Sequence, residues 1–235
     1  MKSSNLACTG LLLALCVTSA GARPIPTQQP TPGQARDAGA PKTESVPPLA
    51  FGVSGLTADN LPKVKESLAA LESQVFVCPG CKAEGALAGS CSACKVALEP
   101  RTVKLLKTAE PSVENASIRI TPDTGRTVRY SDLERTLRQH LVQIDSSKFP
   151  VAGTAQLVVR GATDADVSPL EEALLQAKLF DEVEGVYEPA TGEIRLAVRA
   201  GKTPPPLSKV EAVLEGTGIA PRFADVLWAP RPLKS

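Results

Sequence analysis

Two segments of the chain repeat each other, and this repeat is the sequence feature that most constrains the fold. The segment GLTADNLPKVKESLAAL, which starts at Gly55, aligns with GATDADVSPLEEALLQA, which starts at Gly161, at a constant offset of 106 residues. In both segments two aligned apolar positions lie four residues apart, which predicts a helix with an apolar stripe. These positions are Val64 and Leu68 in the first copy and Leu170 and Leu174 in the second.

The repeat continues towards the C-terminus at a shorter offset. Residues 118–120 and 125–127 align with residues 194–196 and 201–203 at an offset of 76. Each copy there predicts a strand and then a turn that contains glycine. Because the offset falls from 106 to 76, the first copy holds about thirty extra residues between its first helix and its third strand. An internal duplication with one insertion, at about residues 76–105, is the simplest explanation.

Serines mark the starts of three predicted helices. Ser131 and Ser208 each stand three residues before a glutamate, which is the capping-box sequence of a helix N-terminus. In the second copy Ser168, Pro169 and Glu171 predict a cap, a proline at the first helical position and a capping-box glutamate. We therefore expect side-chain caps at the start of these helices.

Each copy predicts the order strand, helix, strand, strand, helix, strand. This is the split βαβ, or ferredoxin-like, plan, in which two helices cover one face of a sheet. The predicted fold class is α+β, with one ferredoxin-like βαββαβ unit over residues 49–150, which carries the insertion, and a second over residues 151–230. In the second unit the predicted strands are residues 156–160, 182–187, 193–198 and 222–228.

Four cysteines in the insertion form two similar short motifs. The spacing is CxxC, nine residues, CxxC, and a lysine follows each pair, in CPGCK and CSACK. Two such turns can direct four thiolates at one ion in a tetrahedral site. We therefore predict one bound metal ion per chain, most simply a structural zinc, although iron or a soft monovalent ion also suits these ligands. The predicted ligands are Cys78, Cys81, Cys91 and Cys94.

Two other readings of these cysteines are open at this point. In an oxidising compartment four cysteines can form two structural disulfides, whose connectivity the sequence does not specify. A CxxC pair that follows a strand, as Cys78 and Cys81 follow residues 74–77, can also be a redox pair. A redox pair explains one motif, whereas a metal site explains both.

The N-terminus has the pattern of an export signal. An early lysine, Lys2, precedes an apolar run that ends in a small-x-small pattern at Ala22, as at a signal-peptidase site. We predict a cleaved signal peptide over residues 1–22 and a secreted or periplasmic protein, with a lipid anchor at Cys16 as the alternative. Residues 23–48 are rich in proline and poor in apolar side chains, which predicts an extended, disordered linker.

The composition argues against several classes of function. The chain has 26 lysine and arginine residues against 25 aspartate and glutamate residues, without a basic cluster, which argues against nucleic acid as the main partner. No apolar stretch reaches the roughly 20 residues of a membrane span. We find no catalytic constellation and no sign of a small-molecule substrate. We therefore predict a non-enzymatic protein that binds an unidentified protein partner.

The two copies resemble heavy-metal-associated domains of the copper-chaperone type. The resemblance covers about residues 50–230 and rests on the turns Gly55-Leu56-Thr57 and Gly161-Ala162-Thr163 and on the helix that follows each turn. In that family the turn reads GMTCxxC, and its two cysteines carry a soft metal ion. The resemblance implies the fold but not the transfer chemistry, because the corresponding positions here are Ala58, Leu61, Asp164 and Val167. The insertion resembles a zinc ribbon.

Other polar residues predict ordinary structural roles. Asp164 and Asp166, which stand before a helix, are expected to cap it rather than to bind a hard cation. The single histidine, His140, is expected to be exposed or half-buried on the helix over residues 131–141, rather than a ligand or pH sensor. Asn115 begins a glycosylation sequon, which matters in a eukaryotic secretory pathway. Several carboxylates are expected to form a solvated face, namely Glu171, Glu172, Asp181, Glu182 and Glu184.

These observations leave three functional hypotheses. The first is an exported, non-enzymatic binding or scaffold module in which a structural zinc stabilises the insertion. The second is a metal-handling protein outside the cytoplasm, a sensor, buffer or carrier, that uses the four cysteines reversibly. The third is a thiol-disulfide oxidoreductase that uses Cys78 and Cys81.

Overall fold

The computed structural model describes residues 48–85, 88–219 and 222–228. Within these ranges the chain forms three antiparallel sheets and four helices, so the predicted α+β class is confirmed. None of these four helices has the length and apolar character that crossing a membrane requires. The predicted signal peptide, and the predicted linker up to residue 47, lie outside the described residues.

The strands and helices follow one another in the order that the repeat predicts, with additional strands in the first half. The strands are β1 (Leu49–Ser54), β2 (Glu72–Val77), β3 (Glu84–Gly85), β4 (Glu99–Lys104), β5 (Leu106–Ser112), β6 (Ser117–Pro122), β7 (Val128–Arg129), β8 (Gln143–Ile144), β9 (Thr154–Arg160), β10 (Glu182–Glu188), β11 (Glu193–Arg199) and β12 (Arg222–Trp228). The helices are α1 (Leu61–Ala69), α2 (Tyr130–Arg138), α3 (Val167–Gln176) and α4 (Leu207–Glu215).

We call residues 49–150 the first half of the chain and residues 151–228 the second half. The first half forms a four-stranded sheet in the order β5-β6-β1-β8. β6 lies between β1 and β5 and is antiparallel to both, so the strand before α1 and the strand after the insertion are separated by a third. Phe51 on β1 pairs with Ile118 on β6, and both side chains are buried because alternate residues of a strand face the core. α1 contacts both β5 and α2.

The second half repeats this strand order and adds a fifth strand. Its sheet has the order β10-β11-β9-β12, which corresponds strand for strand to the first sheet, followed by β7. β7 belongs to the first half of the sequence, yet Val128 and Arg129 pair with Trp228 and Leu227 on β12. The sequence did not predict this strand, because two residues between a turn and a helix are too few to show alternation.

Equivalent positions of the two copies share backbone conformation and burial. Gly55 and Gly161 both have a φ of +78°, which favours glycine, and a Cβ at Gly55 would lie 2.3 Å from the carbonyl oxygen of Leu141. The hairpin residues Ala116 and Gly192, 76 positions apart, also both have positive φ. The predicted helix stripe is fully buried in both copies, at Val64, Leu68, Leu170 and Leu174.

Phe149, in the segment that connects the two halves, lies at the centre of their shared core. Its buried ring contacts the rings of Phe51, Tyr130 and Trp228, with centroid distances of 5.2, 4.8 and 4.7 Å. Phe51 comes from β1 of the first half and Trp228 from β12 of the second. The backbone N–H of Leu207 also donates to the carbonyl of Phe149 at 2.8 Å. The two halves therefore pack as one unit around a single hydrophobic core.

The predicted serine caps are wrong at all three helices. α2, α3 and α4 begin at Tyr130, Val167 and Leu207, each one residue before the serine that was expected to cap it, so the serine lies inside the first turn. Before α3, a 3-10 turn intervenes, and there Thr163 and Asp166 form the capping box. Sequence spacing alone does not fix the first helical residue to within one position.

A carboxylate from the second half caps α2 instead. Asp225 on β12 accepts hydrogen bonds from the backbone N–H of Ser131 at 3.0 Å and from the Ser131 hydroxyl at 2.7 Å. Asp225 is only 8% exposed, and it lies at the positive end of the helix dipole. This contact satisfies an N–H that has no partner within the helix, and it connects the two halves a second time.

The insertion forms a separate three-stranded sheet, which we call the arm (residues 72–104). β2 and β4 pair along their full length, from Glu72 opposite Lys104 to Val77 opposite Glu99, and β3 pairs with the other side of β2. Among the arm residues that the structure describes, only Cys78 and Cys91 are buried. The described part of the arm therefore lacks a hydrophobic core of its own.

The shared core predicts that the two halves unfold together. Replacing Phe149 by alanine should lower the free energy of unfolding by about 3–5 kcal/mol, because the substitution leaves a cavity in the core that the two halves share. The measurement is chemical denaturation followed by both circular dichroism and the fluorescence of Trp228, the single tryptophan. The matched control is Phe76→Ala on the half-buried face of the arm, which should cost less than about 2 kcal/mol. Separate transitions of the two halves in the unsubstituted protein would contradict a shared core.

Candidate metal centre

The four predicted cysteines lie together at one end of the arm. Cys78 directly follows β2, and the second pair precedes β4, so the two paired strands bring both motifs to the same place. The four sulfur atoms all lie within 4.8 Å of one another. Cys78 and Cys91, the first cysteine of each pair, are buried, whereas Cys81 and Cys94 are exposed. All four are free thiols in this structure.

The two cysteine pairs form equivalent turns, 13 residues apart. In the first turn the backbone N–H of Cys78 donates to Ala83, and its carbonyl accepts from Lys82, at 2.8 and 3.0 Å. In the second turn Cys91 makes the same two bonds, to Val96 and Lys95, at 2.8 Å each. The two turns therefore present their sulfur atoms to a common centre in the same way.

The lysine after each pair has a specific backbone role. Lys82 and Lys95 have φ values of +62° and +57°, in the left-handed region. This conformation ends each turn and returns the chain towards the first cysteine, so that the two hydrogen bonds can close. A lysine can adopt it at some cost in energy, whereas a β-branched residue adopts it poorly.

The electrostatics of the cluster favour a bound cation. Hydrogen bonds from the backbone N–H groups of Cys81 and Gly80, together with the neighbouring thiols, lower the pKa of Cys78 to about 6. In contrast, hydrogen bonds with the thiols of Cys81 and Cys78, and their charge, raise the pKa of Cys94 to about 12. Without a cation, Cys78 therefore ionises far more readily than Cys94. A divalent cation would compensate the charge that keeps Cys94 protonated.

The geometry of the cluster fits a metal with four sulfur ligands. In a tetrahedral zinc site with Zn–S bonds of about 2.3 Å, neighbouring sulfur atoms are about 3.8 Å apart. The sulfur atoms of Cys81 and Cys91 are 3.5 Å apart, far longer than the roughly 2.05 Å of a disulfide bond. Within the described residues, these cysteines are the one group of three or more histidine, cysteine, aspartate or glutamate side chains placed to hold an ion. The arrangement could therefore bind a metal ion.

An ion pair connects the arm to the rest of the first half of the chain. Arg126, in the turn before β7, donates to both carboxylate oxygens of Glu84 on β3, at 2.6 and 3.2 Å. This contact lowers the pKa of the Glu84 carboxyl. The side chain of Arg126 is 18% exposed, so most of its surface is covered. This contact was not predictable from local sequence pattern, because its two residues lie 42 positions apart.

The other predicted candidates lie away from the cysteines in sequence and have structural contacts of their own. Asp166 accepts from the N–H and hydroxyl of Thr163, while Asp164 is exposed. His140 is half-buried just after α2, and its Nε2 lies 2.8 Å from the hydroxyl of Ser67. Asn115 is exposed in the turn between β5 and β6.

Two of the expected surface carboxylates have specific partners. Glu171 on α3 accepts a hydrogen bond from the backbone N–H of Gly185 on β10, so it is not a purely solvated residue. Glu182 forms an ion pair with Arg199 on the neighbouring strand. Glu172, Asp181 and Glu184 are exposed, as expected.

Comparison with known proteins adds no functional assignment. No protein-family model, curated protein or solved structure matches the chain. The resemblance to heavy-metal-associated domains therefore rests on the sequence pattern alone and stays a prediction.

The lysine conformations lead to a test of the local geometry. Replacing Lys82 or Lys95 by valine should weaken zinc binding by the equivalent of about 1–2 kcal/mol, because a β-branched side chain is strained at positive φ. Replacement by glycine at the same positions should leave binding unchanged or slightly stronger. The measurement is zinc competition with a coloured chelator, since folding and metal binding are coupled in such turns. Equal affinities for the valine and glycine variants would contradict the proposed backbone role.

Proposed function

We propose that this chain is an exported, non-enzymatic binding or scaffold module whose arm is stabilised by one structural zinc ion. The observation that carries the proposal is the convergence of four cysteine sulfur atoms, within 4.8 Å, from two equivalent turns. Such a site supplies all four ligands of a tetrahedral zinc ion and leaves no coordination position for a substrate. The zinc would therefore stabilise structure rather than perform chemistry.

The composition of the arm supports a structural role for the metal. Its described residues bury only Cys78 and Cys91, so apolar burial contributes little to its stability. Small units without a sufficient core commonly depend on a metal ion or disulfides. Because Cys78 and Cys91 are the buried residues of the described part of the arm, a bound ion would connect β2 to β4 at the point where this part has its little burial.

Zinc is the metal that we propose for this ligand set, which excludes hard cations. Four thiolates suit zinc and also iron, while hard cations such as calcium or magnesium prefer oxygen ligands. The backbone N–H groups of Cys81 and Gly80, which donate to the sulfur of Cys78, would delocalise part of the thiolate charge in the loaded site. We name zinc on this ligand preference.

The partner of the module would be a protein. The two sheets provide extended surfaces, and the balanced charge of the chain does not favour nucleic acid. Export is proposed from the sequence pattern of residues 1–22. We also propose that both halves derive from a heavy-metal-associated domain that lacks the transfer cysteines, which is supported by the glycine turns at Gly55 and Gly161.

A second candidate function is reversible metal handling as a sensor, buffer or carrier. The observation in its favour is that Cys81 and Cys94 are exposed, so a competing ligand could approach two of the four sulfur atoms. A metal that exchanges through such an attack would leave without unfolding the arm. The rate and mechanism of metal release therefore separate the two candidates.

Alkylation of the metal-loaded full chain tests the proposal. With a structural zinc, all four cysteines should stay unmodified until a strong chelator or a denaturant is added, and modification should then be all-or-none, because loss of one ligand releases the others. The measurement is intact-mass spectrometry over time. The matched control is Cys94→Ser, which leaves three ligands and should be alkylated at the remaining cysteines without chelator.

Three results would contradict the structural role. Rapid modification of Cys81 or Cys94 while the metal stays bound would favour metal handling. Release of zinc to a weak chelator, without loss of arm structure, would have the same meaning. Insulin reduction that is lost when Cys78 and Cys81 are replaced by serine would favour the oxidoreductase.

A further inference from the structure

Arg126 lies outside the arm, and its side chain forms an ion pair with Glu84 of the arm. Its guanidinium donates to both carboxylate oxygens of Glu84, and the Arg126 side chain is largely covered, at 18% exposure. A bidentate pair of this kind fixes orientation as well as distance. Glu84 itself is 41% exposed, so solvent reaches the pair from the side of the arm.

Glu84 is connected to the first cysteine turn by a very short path. It stands three residues after Cys81, and the residue between the turn and Glu84, Ala83, accepts the hydrogen bond from the backbone of Cys78 that closes the turn. Glu84 also pairs with Val77, the residue before Cys78, in the arm sheet. The position of Glu84 therefore depends on the conformation of the turn that provides two of the four ligands.

Arg126 is held in place by the base of the arm. Its backbone N–H donates to the carbonyl of Asp123 at 3.0 Å, which closes a tight turn. The N–H of Asp123 in turn donates to Leu105, the residue that follows β4, at 2.9 Å. Leu105 also donates to Leu71, at the start of the arm. These hydrogen bonds therefore place Arg126 at the junction between the arm and the first sheet.

The internal repeat provides a comparison at this position. Arg126 aligns with Lys202 in the second copy, within the pair of turns GRT and GKT. The second copy has no arm, and Lys202 is exposed. The largely covered Arg126 therefore occurs in the first copy, which contains the arm. This difference fits a role for Arg126 towards the arm rather than a general role in the turn.

We propose that Arg126 is a positioning residue for the metal centre, acting through Glu84 to hold the first cysteine turn in its binding conformation. This inference rests on the proposed metal site. By linkage, the bound ion would in return strengthen the contact between Glu84 and Arg126, so the orientation of the arm on the first half would depend on metal occupancy. Removal of the metal would weaken the contact between Glu84 and Arg126 by the same factor by which Arg126 strengthens metal binding.

Zinc affinity of the full chain tests this inference. Arg126→Gln should raise the zinc dissociation constant about fivefold, the size expected when one partly covered ion pair is coupled to a binding site. The double variant Glu84→Arg with Arg126→Glu should restore affinity to within about twofold of the unsubstituted chain, because it re-forms the pair with reversed charges. The measurement is competition with a coloured chelator, and Trp228 fluorescence confirms that the core of each variant is folded.

The matched control is Arg199→Gln, which removes the ion pair with Glu182 on the second sheet and should leave zinc affinity unchanged. An Arg126→Gln variant with unchanged affinity, or a reversed pair that does not restore it, would overturn the positioning role while leaving the metal site intact. Failure of the unsubstituted chain to bind zinc would overturn the proposed function and this inference with it.

Discussion

Electrostatic repulsion within the cysteine cluster, which opposes ionisation of Cys94, is the constraint on which the proposed metal-dependent stability of the arm rests. The sulfur atoms lie within 4.8 Å of one another, and the neighbouring thiols raise the pKa of Cys94 to about 12. A bound cation would turn this repulsion into attraction, and the energy of that change becomes folding energy for the arm. Because only Cys78 and Cys91 are buried among its described residues, the arm has little else to hold β2 and β4 together at this end.

The rest of the described chain is stabilised in a different way. Its two halves share one hydrophobic core, with Phe149 between Phe51 and Trp228, and the buried carboxylate of Asp225 caps α2 across the boundary. Strand β7 completes the sheet of the other half. The two halves therefore form one packed unit, and the four cysteines lie in the arm, whose described residues do not belong to this core. Arg126 lies outside the arm and donates to Glu84 on β3, so its side chain connects the packed unit to the arm.

Local pattern predicted much of this structure. The stripe at Val64 and Leu68 indicated a helix because helical periodicity needs only neighbouring residues, and the CxxC spacing indicated the sulfur cluster for the same reason. Contacts between distant residues were not predictable: Asp225 caps a helix 94 positions away, and Arg126 reaches Glu84 across 42. The serine caps failed because each helix begins one residue before the predicted serine, and sequence spacing does not fix the first helical residue to within one position.

Metal content and thiol state of the arm, measured together, test the central claim most directly. The chain would be purified without chelator, and its zinc content determined by mass spectrometry while peptide mapping locates the free thiols. The account predicts one zinc ion per chain and free thiols at Cys78, Cys81, Cys91 and Cys94 after denaturation. Absence of metal together with disulfides at these four positions would contradict it.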